Sequence, residues 1–203
     1  GTSLGIFGTG YVGSNIARFL EENNAAQDIK VTVLNRSNWH DVIQNHTFDY
    51  FINATGMSGN FREYPLDNVD VNINVTTELL RTLNVSQCYV ALSSTRVYGF
   101  TESPQQIFDE SSVLPSLNPS HIDTLYDGVK MIMEAMVLAH AQKNNYKSVI
   151  VRLSNLYGNF THLDDNTLIK KFVRLATEAD TTCVVNQDPE SSKDYIHIDD
   201  AVD

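Results

Sequence analysis

The stretch L-G-I-F-G-T-G-Y-V-G-S-N, residues 4–15, decides the fold of this chain. A short apolar run ends in three glycines with the spacing G-x-G-x-x-G, Gly8, Gly10 and Gly13, and an apolar-periodic segment follows at once. This order predicts a strand, a tight turn and the start of a helix, as in dinucleotide-binding folds. Gly8 would permit the turn, Gly10 would let the backbone approach a pyrophosphate, and Gly13 would let the helix pack close to the sheet. A glycine-rich turn without a ligand is the alternative interpretation.

A second strand is predicted at residues 29–34, about 20 residues after the glycines, as a βαβ unit requires. It ends at Asn35, Arg36 and Ser37. An acidic residue at this place would bind the ribose 2′-hydroxyl of NAD, whereas an arginine accommodates the 2′-phosphate of NADP. Because Asn35 is neutral while Arg36 and Ser37 can contact a phosphate, the sequence favours NADP over NAD. Arg36 as a solvated loop charge is the alternative.

The rest of the chain alternates between strand and helix patterns. Further strands are predicted at residues 48–54, 87–92, 148–153 and 182–185, and helices at residues 39–46, 69–83 and 126–142. Residues 100–125 read as a long irregular loop, and such loops usually serve a site. Strands that alternate with helices predict an α/β fold with a doubly wound parallel sheet, in a single Rossmann domain over residues 1–203.

Composition excludes several classes of function. The chain has 203 residues, with 14 basic against 25 acidic side chains and a formal charge of −11. This charge argues against nucleic acid or an anionic membrane as the main partner. Cys88 and Cys183 give neither a disulfide framework nor a zinc spacing, and no apolar run is long enough to span a membrane. We therefore expect a cytoplasmic protein.

Three side chains suggest acid–base chemistry. Tyr126 and Lys130 are four residues apart and so lie on one face of a helix. A lysine ammonium near a phenol favours the phenolate, and we expect Lys130 to lower the pKa of Tyr126 in this way. Ser94 follows a predicted strand, at the edge where open α/β sheets bind ligands. A surface pair of an aromatic ring and a cation is the alternative for Tyr126 and Lys130.

These features together resemble the extended short-chain dehydrogenase/reductase family of nucleotide-sugar epimerases, dehydratases and reductases. The resemblance covers nearly the whole chain. It rests on the glycine turn, on the Tyr126/Lys130 pair and on motifs at residues 53–56 (N-A-T-G), 72–80 (N-I-N-V-T-T-E-L-L), 93–99 (S-S-T-R-V-Y-G), 109–110 (D-E), 152–158 (R-L-S-N-L-Y-G) and 194–200 (D-Y-I-H-I-D-D).

The resemblance implies roles for individual residues. The expected catalytic residues are Ser94, Tyr126 and Lys130, with Ser94 polarising a sugar oxygen, Tyr126 transferring a proton, and Lys130 also holding the nicotinamide ribose. The expected substrate-binding residues are Ser94, Thr95, Arg96 and Asn155. The expected cofactor-binding residues are Gly8, Gly10, Tyr11, Val12, Gly13, Asn35, Arg36, Ser37, Ala54, Thr55, Gly56, Asn74, Tyr126 and Lys130.

The chain also departs from the family pattern. The usual turn is G-x-x-G-x-x-G, and its first glycine would align with Phe7. The 4,6-dehydratases carry Asp-Glu where this chain has Thr95 and Arg96, so dehydration is disfavoured. The short segment between the second and third strands resembles the sugar-reductase branch. The family normally continues well beyond the motif at residues 194–200, so we expect the C-terminal substrate lobe to be missing or reduced.

The sequence therefore predicts an NAD(P)-dependent oxidoreductase or epimerase that acts on a nucleotide-activated sugar by hydride transfer, with NADP preferred. A homodimer is a possible assembly. The alternative is a non-catalytic NAD(P)-binding regulatory or interaction module derived from the same family. Metal sites could be drawn at His162, Asp164 and Asp165, or at His197, Asp199 and Asp200, but we expect polar loop and turn residues there and no metal.

Overall fold

The computed structural model of the chain describes residues 1–23, 28–56, 60–99, 107–114, 117–159, 163, 167–178, 190 and 192–203. Its central sheet has five strands, in the spatial order β2-β1-β3-β4-β5. They are β1 (Thr2–Phe7), β2 (Ile29–Leu34), β3 (Thr47–Asn53), β4 (Asn84–Ser94) and β5 (Lys147–Leu153). All neighbouring pairs in this sheet are parallel. The predicted α/β fold with a parallel sheet is thus confirmed.

Strand order reverses at β1. The chain passes from β1 outward to β2 and then returns to β3 on the other side of β1. In open parallel sheets, such a reversal leaves a crevice outside the carboxyl ends of the two strands, and ligands bind there. The glycine turn after β1 and the N-A-T-G turn after β3 both lie at this crevice, because Phe7 pairs with Asn53 at the end of the two strands.

Helices connect the strands, and most of them match the predicted periodicity. They are α1 (Tyr11–Glu22), α2 (Trp39–Asn45), α3 (Pro65–Val69), α4 (Val75–Thr82), α5 (Thr124–Asn144), α6 (Leu168–Thr177) and α7 (Ile198–Val202). A π-helical turn, Asp70–Asn74, joins α3 to α4. Because a π-helical turn carries an extra residue, it shifts the apolar stripe that follows it. This shift explains why the apolar pattern over residues 69–83 is an imperfect helical one.

Aromatic side chains fill the core beneath the crevice. Phe51 is fully buried, with its ring centroid 5.5 Å from that of Phe48 and 5.8 Å from that of Tyr89. Gly5 on the neighbouring strand leaves the space that Phe51 occupies, since a Cβ at Gly5 would lie 2.6 Å from the Phe51 ring. The Tyr89 hydroxyl accepts a hydrogen bond of 3.0 Å from Asn53 Nδ2. The core is therefore tied directly to the turn that follows β3.

A second, small sheet was not predicted. It pairs β6 (Asn155–Tyr157) with β7 (Tyr195–His197) in parallel. The expected strand at residues 182–185 lies outside the described residues, as does the middle of the loop expected at residues 100–125.

Arg18 joins α7 to α1 through a salt bridge of 2.7 Å to Asp199. Within the part of the chain that the structure describes, no helix has the length and apolar composition needed to cross a membrane.

Candidate active site

The glycine turn brings α1 into very close contact with β1. Gly8 has a φ of 118°, a conformation that favours glycine, and its N–H donates a hydrogen bond of 3.0 Å to the Leu34 carbonyl. A Cβ added at Gly13 would lie 2.0 Å from the Gly8 carbonyl oxygen. Only glycine therefore allows α1 to start where it does. This geometry matches the roles predicted for Gly8 and Gly13.

The N-terminus of α1 is suited to a phosphate. A Cβ added at Gly10 would meet no atom within 4 Å, so the backbone there is open to a ligand. Gly10 precedes the helix and has no side chain to cap it, and no acidic residue stands in the first turn. The N–H groups of Tyr11 and Val12 have no partner within the helix, and together with the helix dipole they favour an anion. The pyrophosphate of a dinucleotide fits these properties.

The turn after β3 forms the opposite side of the crevice. The Asn53 side chain is buried, and its Oδ1 accepts hydrogen bonds from the Thr55 N–H at 3.1 Å and the Thr55 hydroxyl at 2.6 Å. Ala54 N–H donates to the Phe7 carbonyl at 2.7 Å. A Cβ added at Gly56 would lie 3.4 Å from Lys130 Nζ. The structure thus brings Ala54, Thr55 and Gly56 together with the glycine turn on one side and Lys130 on the other.

Ser94 and Tyr126 meet at the carboxyl edge of the sheet. Ser94 is the last residue of β4, and its hydroxyl lies close enough to the Tyr126 phenol to help lower the pKa of Tyr126. Ser94 Oγ also accepts the Arg96 backbone N–H at 3.2 Å, which caps the 3₁₀ turn Thr95–Tyr98. The Phe61 ring covers the Tyr126 ring at a centroid distance of 4.4 Å, and both side chains are buried.

The acid–base properties of Tyr126 differ from the expectation. Burial raises the pKa of Tyr126 above the ordinary value for a phenol, and the nearby Arg96 cation and the Ser94 hydrogen bond only partly oppose this. Lys130 is not among the groups that move this pKa. The expectation that Lys130 lowers the pKa of Tyr126 is therefore wrong for the chain by itself, because desolvation of the phenol outweighs every nearby positive charge.

Lys130 is itself strongly perturbed. Its ammonium is almost completely buried, and this burial lowers the pKa of Lys130 from 10.5 to about 8, against the opposing charge of Glu134. Glu134 in turn accepts hydrogen bonds from Ser93 Oγ at 2.6 Å and from Arg152 Nη2 at 2.9 Å. Burial and neighbouring charge of this kind are typical of functional sites.

Four buried charged side chains share one face of α5. Asp123, Asp127, Lys130 and Glu134 follow the spacing i, i+4, i+7, i+11, and all four are buried. This spacing places them in one row along a helix. Neither the apolar periodicity of α5 nor the Tyr126/Lys130 spacing indicated Asp123, Asp127 and Glu134. The available signal was the row of charged residues beside the apolar one.

A family model describes almost the whole chain. The model of the NAD dependent epimerase/dehydratase family matches residues 7–203. The chain belongs to this family. No protein with a curated description matches the sequence. This result agrees with the family resemblance that the sequence motifs indicated.

Solved structures of other proteins share the fold of this epimerase/dehydratase family member. UDP-glucuronic acid 4-epimerase from Bacillus cereus, in complex with UDP-glucuronic acid and NAD, has a TM-score of 0.75 at 18% identity, and the match covers 99% of this chain and 71% of that one. UDP-N-acetylglucosamine 4-epimerase from Methanobrevibacter ruminantium M1, in complex with UDP-N-acetylmuramic acid, has a TM-score of 0.76 at 19% identity, with 99% and 70% covered. RMD from Pseudomonas aeruginosa, complexed with NADPH, has a TM-score of 0.77 at 19% identity, with 100% and 71% covered. The chain spans about 70% of the length of these proteins.

Not every predicted cofactor-binding residue of this family member is buried beside the turn after β3. Asn74 is exposed and donates its side-chain N–H to Asp70 on its own helix. Asn72, two residues earlier, is buried and packs beside Asn53, Thr55 and Thr76. Asn72 is therefore the better candidate beside the turn after β3. The π-helical turn determines which asparagine points inward, and the sequence pattern alone did not indicate this turn.

The remaining predicted residues lie at the edges of the site. Asn35 Oδ1 accepts hydrogen bonds from the backbone N–H and the hydroxyl of Ser37, and Arg36 is exposed beside them. Thr95 begins the 3₁₀ turn after Ser94. Asn155 is exposed, and its side chain donates to the Asp194 carbonyl at 3.1 Å, which joins β6 to β7.

The candidate metal residues do not form a site where the structure describes them. His162, Asp164 and Asp165 lie outside the described residues. His197 Nδ1 accepts the Asp199 N–H at 3.1 Å and so caps α7. Among the described residues, no three His, Cys, Asp or Glu side chains come together as a metal ion would require.

We predict that Lys130→Met stabilises the chain at pH 7 and that this gain disappears at high pH. A buried ammonium whose pKa is lowered from 10.5 to about 8 binds its proton less well in the folded than in the unfolded state. The cost is fully present below pH 8 and falls as the pH rises towards 10.5. Such a shift corresponds to about 3 kcal/mol. Urea unfolding of the parent and the variant at pH 7 and pH 10 measures this difference in the free energy of unfolding.

Lys143→Met is the matched control for this prediction. It removes an exposed ammonium from the last turn of the same helix, so it should change the free energy of unfolding little and equally at both pH values. A difference between parent and Lys130→Met that does not depend on pH would contradict the prediction.

Proposed function

We propose that this chain is an NADP-dependent oxidoreductase or epimerase that acts on a nucleotide-activated sugar. The observation that carries the proposal is that Ser94 and Tyr126 lie beside each other at the carboxyl edge of the sheet, where Arg96 contacts the Ser94 hydroxyl with its N–H and the Tyr126 ring with its side chain. This pair lies on the side of the crevice opposite the glycine turn, with Lys130 Nζ close to the Gly56 backbone. A sugar oxygen bound there would meet two hydroxyl groups that can share a proton with it.

Each side chain of the site has a distinct part in this chemistry. Ser94 Oγ, which accepts the Arg96 N–H, can donate its own proton to a carbonyl or alcohol oxygen of the sugar. Tyr126 gives or takes the proton on that oxygen. Lys130, whose Nζ lies near the Gly56 backbone, would hold the nicotinamide ribose. The nicotinamide, when bound, supplies or accepts the hydride.

The open start of α1 supports a dinucleotide as the cofactor. Gly10 leaves its backbone accessible, and no acidic side chain in the first turn repels a phosphate. Asn35, Arg36 and Ser37 follow β2 at the place where the second ribose would lie, and they favour NADP. Of the three structures described above, one contains NADPH and one contains NAD, so the preference requires a direct measurement.

We expect the chain to bind NADPH more tightly than NADH, and Arg36→Ala to weaken NADPH binding about tenfold. The reason is the loss of the guanidinium that would pair with the 2′-phosphate. NADH binding should change little, because NADH lacks this phosphate. Titration of cofactor fluorescence gives both dissociation constants.

Arg81→Ala is the control for Arg36→Ala. It removes the same charge from an exposed position in the last turn of α4. It should leave both dissociation constants unchanged. A parent chain that prefers NADH would refute the proposed cofactor preference.

Tyr126→Phe should abolish turnover of a nucleotide sugar, because the variant loses the hydroxyl that transfers the proton. Cofactor binding should stay within about twofold of the parent, because the variant keeps the ring that packs on Phe61. Reduction or epimerisation of UDP- and dTDP-sugars, followed by cofactor absorbance and product chromatography, measures turnover. Tyr98→Phe is a suitable control, because it removes a phenol that contacts Arg152 instead. Unchanged turnover in Tyr126→Phe would refute the catalytic role.

A cofactor-binding module without turnover is the second candidate. One observation favours it: the Tyr126 ring lies beneath Phe61 and is only 7% exposed. Such a module would bind NADPH but show no turnover with any nucleotide sugar, in the parent as well as in Tyr126→Phe. The two measurements above therefore separate the candidates.

A homodimer is supported by an exposed apolar face on α5. Leu125 and Ile132 are 42% and 55% exposed, and a spacing of seven residues puts them on one side of the helix. We predict that the chain sediments as a dimer and that Ile132→Glu sediments as a monomer, because a buried carboxylate would oppose association. Leu138→Glu, at a similarly exposed position on a different side of α5, should leave the dimer intact. A parent chain that sediments as a monomer would contradict the prediction.

A further inference from the structure

Arg96 lies against the ring of Tyr126 and the hydroxyl of Ser94 in the candidate active site. Its guanidinium carbon lies 5.3 Å from the centroid of the Tyr126 ring, within the range of a cation–π contact. Its backbone N–H donates to Ser94 Oγ at 3.2 Å. Arg96 thus contacts the Tyr126 ring with its side chain and the Ser94 hydroxyl with its main chain.

Two buried carboxylates fix the guanidinium in this position. Arg96 Nε donates to Asp127 Oδ1 at 3.0 Å, and Arg96 Nη2 lies 3.2 Å from Asp123 Oδ2. The side chains of Asp123 and Asp127 are only 5% and 6% exposed. Asp127 follows Tyr126 directly in α5, and Asp123 occupies the position just before the first residue of the same helix. The cation is therefore held by the same element that carries the phenol.

The pairing also argues against a different role for Arg96. Asp123 and Asp127 together balance the charges of Arg96 and Arg62, since Arg62 Nε donates to Asp123 Oδ1 at 2.7 Å. A balanced cluster attracts a substrate anion weakly. The guanidinium is thus better suited to act on Tyr126 than to capture a negatively charged group of the sugar nucleotide.

We propose that Arg96 is a positioning residue for proton transfer, whose guanidinium favours the phenolate form of Tyr126 and whose backbone orients Ser94 Oγ. The inference rests on the proposed function, because it assigns Tyr126 the proton-transfer step. It also extends that function, because it assigns the role of the cation beside the phenol to Arg96 rather than to Lys130.

The charges around the phenol agree with this assignment. Burial and the Asp127 carboxylate raise the pKa of Tyr126, whereas Arg96 is the foremost group that lowers it, followed by the Ser94 hydrogen bond. The other charged groups near Tyr126 are Lys130 and Glu134, in the row of buried charges along α5, and the ion pair of Arg62 with Asp123. An opposite charge at this range favours the ionised phenol.

Titration of the Tyr126 phenol tests the inference without any turnover. In the chain labelled with [13Cζ]tyrosine and free of cofactor and substrate, the signal missing from Tyr126→Phe identifies Tyr126. Arg96→Gln should reduce the phenolate population at a given pH about tenfold relative to the parent. Arg96→Lys keeps the positive charge and should restore most of that population.

Arg62→Gln is the matched control. Arg62 shares Asp123 with Arg96, and its guanidinium also stacks on Phe61, at 4.7 Å. It has no contact with Tyr126 among those described for the ring, so its loss should leave the titration of Tyr126 unchanged. An effect of Arg62→Gln as large as that of Arg96→Gln would overturn the inference, because a general disturbance of the cluster would then explain both.

A second pair of variants covers the case in which Arg96→Gln does not fold. Asp127→Asn removes the carboxylate that Arg96 pairs with, and Arg96→Gln/Asp127→Asn then removes the guanidinium without leaving that carboxylate buried and unpaired. The double variant should again contain several-fold less phenolate than Asp127→Asn. Equal titrations in this pair, or in the parent and Arg96→Gln, would refute the role of Arg96. Failure to bind NADPH or to turn over a nucleotide sugar would instead refute the proposed function and leave the titration result standing.

Discussion

The contact between Gly13 and the Gly8 carbonyl is the constraint on which the rest of the site depends. With a Cβ at position 13 only 2.0 Å from that oxygen, no other residue lets α1 begin so close to β1. The close approach directs the first N–H groups of α1 into the crevice between β1 and β3. It also brings the β1 turn against Ala54, whose Cβ would lie 3.5 Å from one at Gly13. Close backbone approach at the glycine turn therefore determines the geometry of this side of the site.

The opposite side of the site is built from charges that the fold buries. Asp123, Asp127, Lys130 and Glu134 are buried in one row of α5, and Arg96 and Arg152 extend from the neighbouring strand ends to pair with three of them. Removing such charges from water is unfavourable, and the ion pairs offset only part of that cost. A row of apolar side chains would pack against the sheet without this desolvation cost. The buried charges are concentrated on one face of α5, at the edge of the sheet where open α/β folds bind ligands. Such an arrangement lowers stability and is typical of a functional site.

The sequence predicted those parts of the structure that depend on local pattern. Strands β1 to β5 have apolar runs between turn residues, and the site residues Gly8, Ser94, Tyr126 and Lys130 stand in motifs with fixed spacing. The strand pair β6 and β7 was missed, because three-residue strands have no measurable periodicity and lie about 40 residues apart in the chain. Asn72 was passed over for Asn74 because a π-helical turn rotates the inward side of the helix, and no single residue type marks such a turn.

The acid–base character of Tyr126 could not be derived from its motif, since it depends on three-dimensional burial. The spacing of Tyr126 and Lys130 suggests a lowered phenol pKa, yet burial acts on the two groups in opposite directions and favours the neutral form of each. In the chain alone Tyr126 therefore keeps its proton and is suited to donate it to a carbonyl oxygen, as a reduction requires. Removing a proton from an alcohol requires the phenolate, and the cation in contact with the ring is Arg96. Under the proposed function, the balance between burial and this one cation would decide how readily the Tyr126 phenol serves both directions of an oxidation and reduction.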